Sequence, residues 1–180
     1  MIEYFQRYTA PDPDAHAQEI ERLSAALSNV SDSGSLAAVD LSADLASLLT
    51  TARREAQARE LLVPLQSTVQ NHLSSEPAGW YYLSFGTASQ YLGLRAEANA
   101  MFAEALRLAR SHRWEQLEHF VLVHWGRSLV EEREFCRARE YFVSALGIRE
   151  RLRDPGASRV RRLLDALDAL ESRTALSPRQ

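Results

Sequence analysis

Five histidines and one cysteine are the residues of this chain best suited to chemistry, and their spacing limits what they can do. His119 and His124 are five apart and so point to different faces of a helix. Metal pairs on a helix need a spacing of three or four. His16, His72 and His112 have no neighbouring cluster of ligands. Cys136 lies beside Arg137 and Arg139, whose charges favour a thiolate, yet its place near the start of a helix fits a packed, inert thiol better. Being alone, it forms no internal disulfide. No serine elbow, Cys–His signature or glycine-rich phosphate loop is present, and Glu131-Glu132 reads as solvated charge. The residues therefore call for no metal, no cofactor and no catalytic group, and the expectation is a protein that is not an enzyme.

The elements that carry these residues are helices, and the organising stretch is Trp80 to Leu108. It reads as two helices folded back on each other, with small residues where their backbones meet. Its skeleton recurs 40 residues downstream and, more faintly, 40 upstream. Ala46, Gly86 and Gly126 correspond, as do Leu45, Phe85 and Trp125 just before them. In the second helix of each pair Ala58, Ala98 and Ala138 match, followed by Leu62, Phe102 and Phe142, then by Ala105 and Ala145. The first unit departs from the pattern with Leu65. Self-similarity at a period of 20 to 50 residues marks stacked repeats. Glycine inside a helix costs roughly 1 kcal/mol relative to alanine, so Gly86 and Gly126 are expected at close helix contacts.

This pattern resembles the tetratricopeptide repeat, in the longer form of about 40 residues seen in bacterial regulators rather than the usual 34. Tyr82, Phe85-Gly86, Ala98, Phe102 and Ala105 take the family's positions in one unit. Leu122, Trp125-Gly126, Leu129, Ala138, Phe142 and Ala145 take them in the next. The resemblance spans roughly residues 36 to 155. It implies an all-α fold, a right-handed superhelical stack of antiparallel helix hairpins, with the first helix of each hairpin lining a concave groove. On matching positions that groove would hold Trp80, Leu83, Thr87, Gln90 and Tyr91, and Phe120, Val123, His124, Arg127 and Val130. Aromatics with arginine are typical of recognition hot spots. The alternative is that Trp80 and Phe120 pack between repeats or under the N-terminal helix. The family's clamp for a C-terminal carboxylate is missing, since Leu83 or Val123 and Thr87 or Arg127 occupy its places.

A chain of 180 residues can bury a real core in one domain. The expectation is a single repeat domain over 1–173: a capping helix at 12–29, repeats at about 36–73, 80–111 and 114–152, a capping helix at 158–172, and a disordered tail at 174–180. Asp12-Pro13-Asp14 is a helix start, and Pro64 should bend or interrupt its helix. SSEPAG at 74–79 reads as a loop. Tyr4, Phe5 and Tyr8 are candidates to tuck against the first helix. No run of 18 apolar residues and no secretory signal occurs, so no membrane is expected and the cytoplasm is the default.

All 21 basic residues are arginine, a bias that fits a GC-rich bacterial genome. Residues 1–90 carry net −6 and residues 91–180 net +3. The overall negative charge argues against nucleic acid. The segment Arg149, Arg151, Arg153, Arg159, Arg161, Arg162 reads as a solvated surface, an acidic-partner site, or the basic end of a head-to-tail homodimer. These features converge on a protein–protein interaction module that takes a peptide or helix of a partner in its groove. The alternatives are a regulatory ligand- or peptide-sensing domain acting through a partner, and a small-molecule-binding or enzymatic helical protein.

Overall fold

A computed structural model describes Phe5 and residues 7–176, with side chains as far as Ser172. Among the described residues every regular element is helical and no strand occurs. The chain divides into two compact units, Tyr8–Leu117 and Met1–Arg7 together with Glu118–Gln180.

The unit Tyr8–Leu117 begins with α1 (Pro13–Ser28), capped as its sequence dictates: Asp12 accepts the Ala15 N–H at 2.9 Å and Pro13 opens the first turn. α2 (Leu36–Thr51) follows from the Ser35 cap. Pro64 then breaks the next helix. α3 (Glu55–Leu62) passes through a 3₁₀ turn at Val63–Leu65 into the short α4 (Gln66–Gln70). Proline supplies no N–H for the carbonyl four residues back, so the chain tightens there. α5 (Glu76–Tyr91) starts one turn earlier than the sequence reading placed it. Ser75 is its N-cap position and Pro77 lies in its first turn, so SSEPAG is a helix start as well as a loop. α6 (Arg95–His112) returns against α5.

α5 is the axis of this unit. Every residue from Tyr81 to Gln90 is buried, because α2, α3 and α6 all pack on it. Two cross-links fix α5 against the preceding hairpin: the Tyr81 hydroxyl donates to the Leu62 carbonyl at 3.2 Å, and the Ser84 hydroxyl to the Ala43 carbonyl at 3.0 Å. Arg59 grips the Glu97 carboxylate with Nε and Nη2 at 2.9 and 2.8 Å, and Ser89 donates to the same carboxylate at 2.7 Å. These bonds hold the Glu97 carboxyl below its usual range, against the opposing effect of burial.

The second unit holds most of α7 (Glu115–Glu131), α8 (Phe135–Arg151) and α9 (Ala157–Leu176). α9 runs past the expected end at Ser172, since nothing before Pro178 interrupts it. The remainder of the expected tail, 177–180, lies outside the described residues. Phe142 is fully buried and stacks on Phe5 at 6.3 Å between ring centroids. Phe5 therefore packs on α8. Tyr8 is exposed, and Tyr4 lies outside the described residues. α9 docks on α8 through Val160, Leu163, Ala166 and Leu167, and Arg139 spans to Asp168 and Glu171 at 2.5 Å each.

Two local geometries recur at the period read from the sequence. A Cβ placed on Gly86 would stand 2.8 Å from the Phe102 ring, and one on Gly126 would stand 2.6 Å from the Phe142 ring. In both hairpins a phenylalanine ring closes on a glycine where a Cβ would collide. The helix ends repeat at half that period. Arg53, Gly93, Arg113, Arg133 and Arg153 all have positive φ, between 54 and 78°. The next residue in each case donates its N–H to the carbonyl five back (Arg54 to Leu49, Leu94 to Ser89, Trp114 to Ala109, Glu134 to Leu129, Asp154 to Arg149) at 2.8–2.9 Å. This is the Schellman closure, which normally uses glycine at the left-handed position. The series skips position 73, in the hairpin that Pro64 interrupts.

Candidate recognition surface

On α7, Phe120, Val123, His124 and Arg127 recur at i, i+3, i+4 and i+7 and so share one face. All of them are half-buried. The opposite face carries Leu122, Trp125, Gly126 and Leu129, all buried. The helix thus presents a row of ring, valine, imidazole and guanidinium, and packs its other side. Val130, expected in the same row, is buried. Burial pushes the His124 imidazole down to about 4, aided by the charges of Arg127 and Arg149. His124 is neutral at pH 7, and Arg127 supplies the positive charge of the row.

A buried polar cluster backs this row. His119 is fully buried and its Nδ1 accepts from Arg149 Nε at 3.2 Å, which leaves the proton on Nε2. That Nε2 makes no hydrogen bond among the described residues and faces Asp154 Oδ2 at 3.7 Å. The Arg149 guanidinium carbon lies 5.3 Å from the Phe120 ring centroid, and Nη1 lies 3.5 Å from Asp154 Oδ1. The Schellman turn at Arg153 brings Asp154 back over Arg149, and Asp154 also accepts the Gly156 N–H. Burial drives the His119 pKa down to about 4; the Arg149 charge adds to this and the Asp154 charge opposes it. Arg149, read from sequence as part of a solvated basic face, is in fact buried. The other arginines of that segment are exposed, and Arg161 pairs with Glu150 at 2.5 Å. The partners five and 30 residues away that draw Arg149 inward give no local signal in the sequence.

The residues expected on α5 belong to the other unit. Trp80 and Tyr91 are half-buried, and Trp80 Nε1 donates to Glu76 Oε1 at 3.3 Å. Leu83 and Thr87 are 5% and 9% exposed and Gln90 2%, so the face that the repeat pattern leaves open is buried on α5. Thr87 donates its hydroxyl to the Leu83 carbonyl at 2.8 Å. The α5 set therefore keeps only its two ends at the surface. Cys136, expected to be packed, is exposed in the first turn of α8; Ala138 takes the inward position instead. Among the described residues no three histidine, cysteine or acidic side chains converge as a metal site. No helix among them is long and apolar enough to cross a membrane.

No protein-family model, curated protein or solved structure matches the chain.

Proposed function

We propose that this chain is a non-enzymatic interaction module that takes a peptide or helix of a partner protein on the half-buried row of α7. The observation that carries the proposal is the row itself. Phe120, Val123, His124 and Arg127 lie on one helix face, each half-buried, with an aromatic ring and a guanidinium at its two ends. Such a row matches the i, i+3, i+4, i+7 anchoring by which helices meet apolar grooves and partner helices. Arg149 and His119 hold Phe120 from beneath, so the ring is pre-oriented and binding costs less side-chain entropy. His119 is closed to solvent and its acceptor nitrogen is taken by Arg149, which favours a packing role over proton transfer. The tetratricopeptide-like reading, with α1 and α9 as caps and a cytoplasmic setting, is part of this proposal. The glycine–phenylalanine nests and Schellman turns at fixed spacing support it.

Site-specific photo-crosslinking tests the proposal. A photoreactive amino acid at Val123 should yield a discrete protein adduct in the native host, and Phe120→Ala or Arg127→Ala should suppress it. The control position is Val143, exposed on α8. An adduct to the same protein, equally strong from Val143 or undiminished by both alanine variants, would remove α7 as the site.

A further inference from the structure

A pocket of about 290 Å³ lies in the unit Tyr8–Leu117, between α1, α2 and the bent segment α3–α4. We propose that it binds a small uncharged molecule with an apolar body and at least one hydrogen-bonding group.

The first reason is where it occurs. Pro64 interrupts the helix that runs whole in α6 and α8, the Schellman series skips position 73, and Leu65 stands where the later repeats place Ala105 and Ala145. The first hairpin thus breaks the local rules its neighbours keep, and such departures are expected at functional or strained sites. The break holds Pro64 and Leu65 at the pocket wall, where Leu27, Ala38 and Leu61 complete the apolar lining. A cavity of about 150 Å³ is enough to take benzene. This one suits a single ring with substituents.

The second reason is chemical. Ser33, Ser42 and Thr68 line the same pocket; Ser33 is exposed, Thr68 half-buried and Ser42 buried. Ser42 is only 1% exposed. The hydroxyls of Ser24, Ser28, Thr87 and Ser172 all bond back to the carbonyl four residues earlier. Ser42, in the middle of α2, does not. A hydroxyl so enclosed gains by a partner arriving in the pocket. No charged side chain lines the space. Nothing in the lining would pair with an ionic group and offset its desolvation, which favours a neutral ligand. Gly34 forms part of the rim, and a Cβ there would stand 3.6 Å from Thr68 Oγ1.

The probe is cyclohexanol, compared with cyclohexanecarboxylate and cyclohexylammonium, titrated into the ¹⁵N-labelled full chain while amide shifts are followed. Support would be saturable shifts at Gly34, Ala38, Ser42 and Thr68 with cyclohexanol alone. Ser42→Ala should weaken binding about fivefold, the worth of one hydrogen bond. Gly34→Leu, a surface change at the rim, should abolish it. Thr68→Val repeats the hydroxyl test at a more exposed position, so the result stands even where Ser42→Ala fails to fold. The proposal is overturned by an absence of saturation up to about 10 mM, by shifts that map elsewhere, by equal binding of the charged analogues, or by unchanged binding in Gly34→Leu.

Discussion

Gly126→Ala and Gly147→Ala place the same methyl group in the same compact unit, and the structure gives them opposite signs. At Gly126 the new Cβ would stand 2.6 Å from Phe142 Cε1, with two further ring atoms at 3.0 and 3.1 Å. Carbon atoms prefer about 3.5–4.0 Å, so the ring or the helices must separate by roughly 1 Å. Phe142 is fully buried and stacked on Phe5, which leaves the ring little room to retreat. Overpacking of this kind costs about 1–3 kcal/mol. Alanine's helix preference over glycine returns about 1 kcal/mol. The net is a destabilisation of about 0–2 kcal/mol, or a Tm lower by up to about 8 °C. At Gly147, inside α8, the methyl meets nothing within 4 Å, so the helix preference acts alone and Tm should rise by about 2–4 °C. Urea and thermal unfolding followed by circular dichroism reads both. Combining Gly126→Ala with Phe142→Leu should cost less than the two singly, with a coupling of about 1 kcal/mol. If Gly126→Ala proves as stable as Gly147→Ala, the ring does not nest on that glycine and the close packing inferred here is wrong.

Other outcomes follow from the helix ends and the buried cluster. Arg113→Gly should stabilise by about 0.5–1 kcal/mol, because only glycine adopts the φ of 58° without strain; Gly93→Ala should lose about 1 kcal/mol, and equal unfolding midpoints would contradict both. Gly156→Ala would drive a Cβ into Arg149 Nη1, displacing a buried guanidinium from Asp154 and His119 at a cost of about 3 kcal/mol; an unchanged Tm would mean Arg149 has another place to go. His119 has its pKa pushed down to about 4 from the ordinary 6.5, so between those pH values the unfolded chain binds a proton that the folded chain refuses. Stability should therefore fall as pH drops through that window, by up to about 3 kcal/mol from this group. His124, pushed down to about 4 as well, adds a similar slope over the same window. His119→Asn, which keeps an acceptor for Arg149, should therefore remove about half of the pH dependence of the urea midpoint, and an unaltered slope would assign the effect elsewhere.

By itself the sequence determined the helical class and pointed to the residues that nest across two of the hairpins. Phe102 on Gly86 and Phe142 on Gly126 were legible because a small residue opposite a large one is a local pattern that repeats. The Asp12-Pro13 start was legible for the same reason: a cap acts within one turn. The start at Ser75 was missed because its serine and proline sit inside a stretch rich in turn residues. The left-handed helix ends were hidden because arginine holds four positions where glycine would have announced them. Tertiary structure alone decided which face of each first helix stays open. Leu83 and Thr87 match the surface positions of α7 in register, yet they are buried, while Phe120 and Arg127 keep a partly open face. It also decided that Arg149 turns inward, since a charge is buried only where partners from other segments, His119 and Asp154, wait to receive it. The pocket beside Pro64 belongs to the same class: proline foretells a bend, but only packing against α1 and α2 makes the bend enclose space.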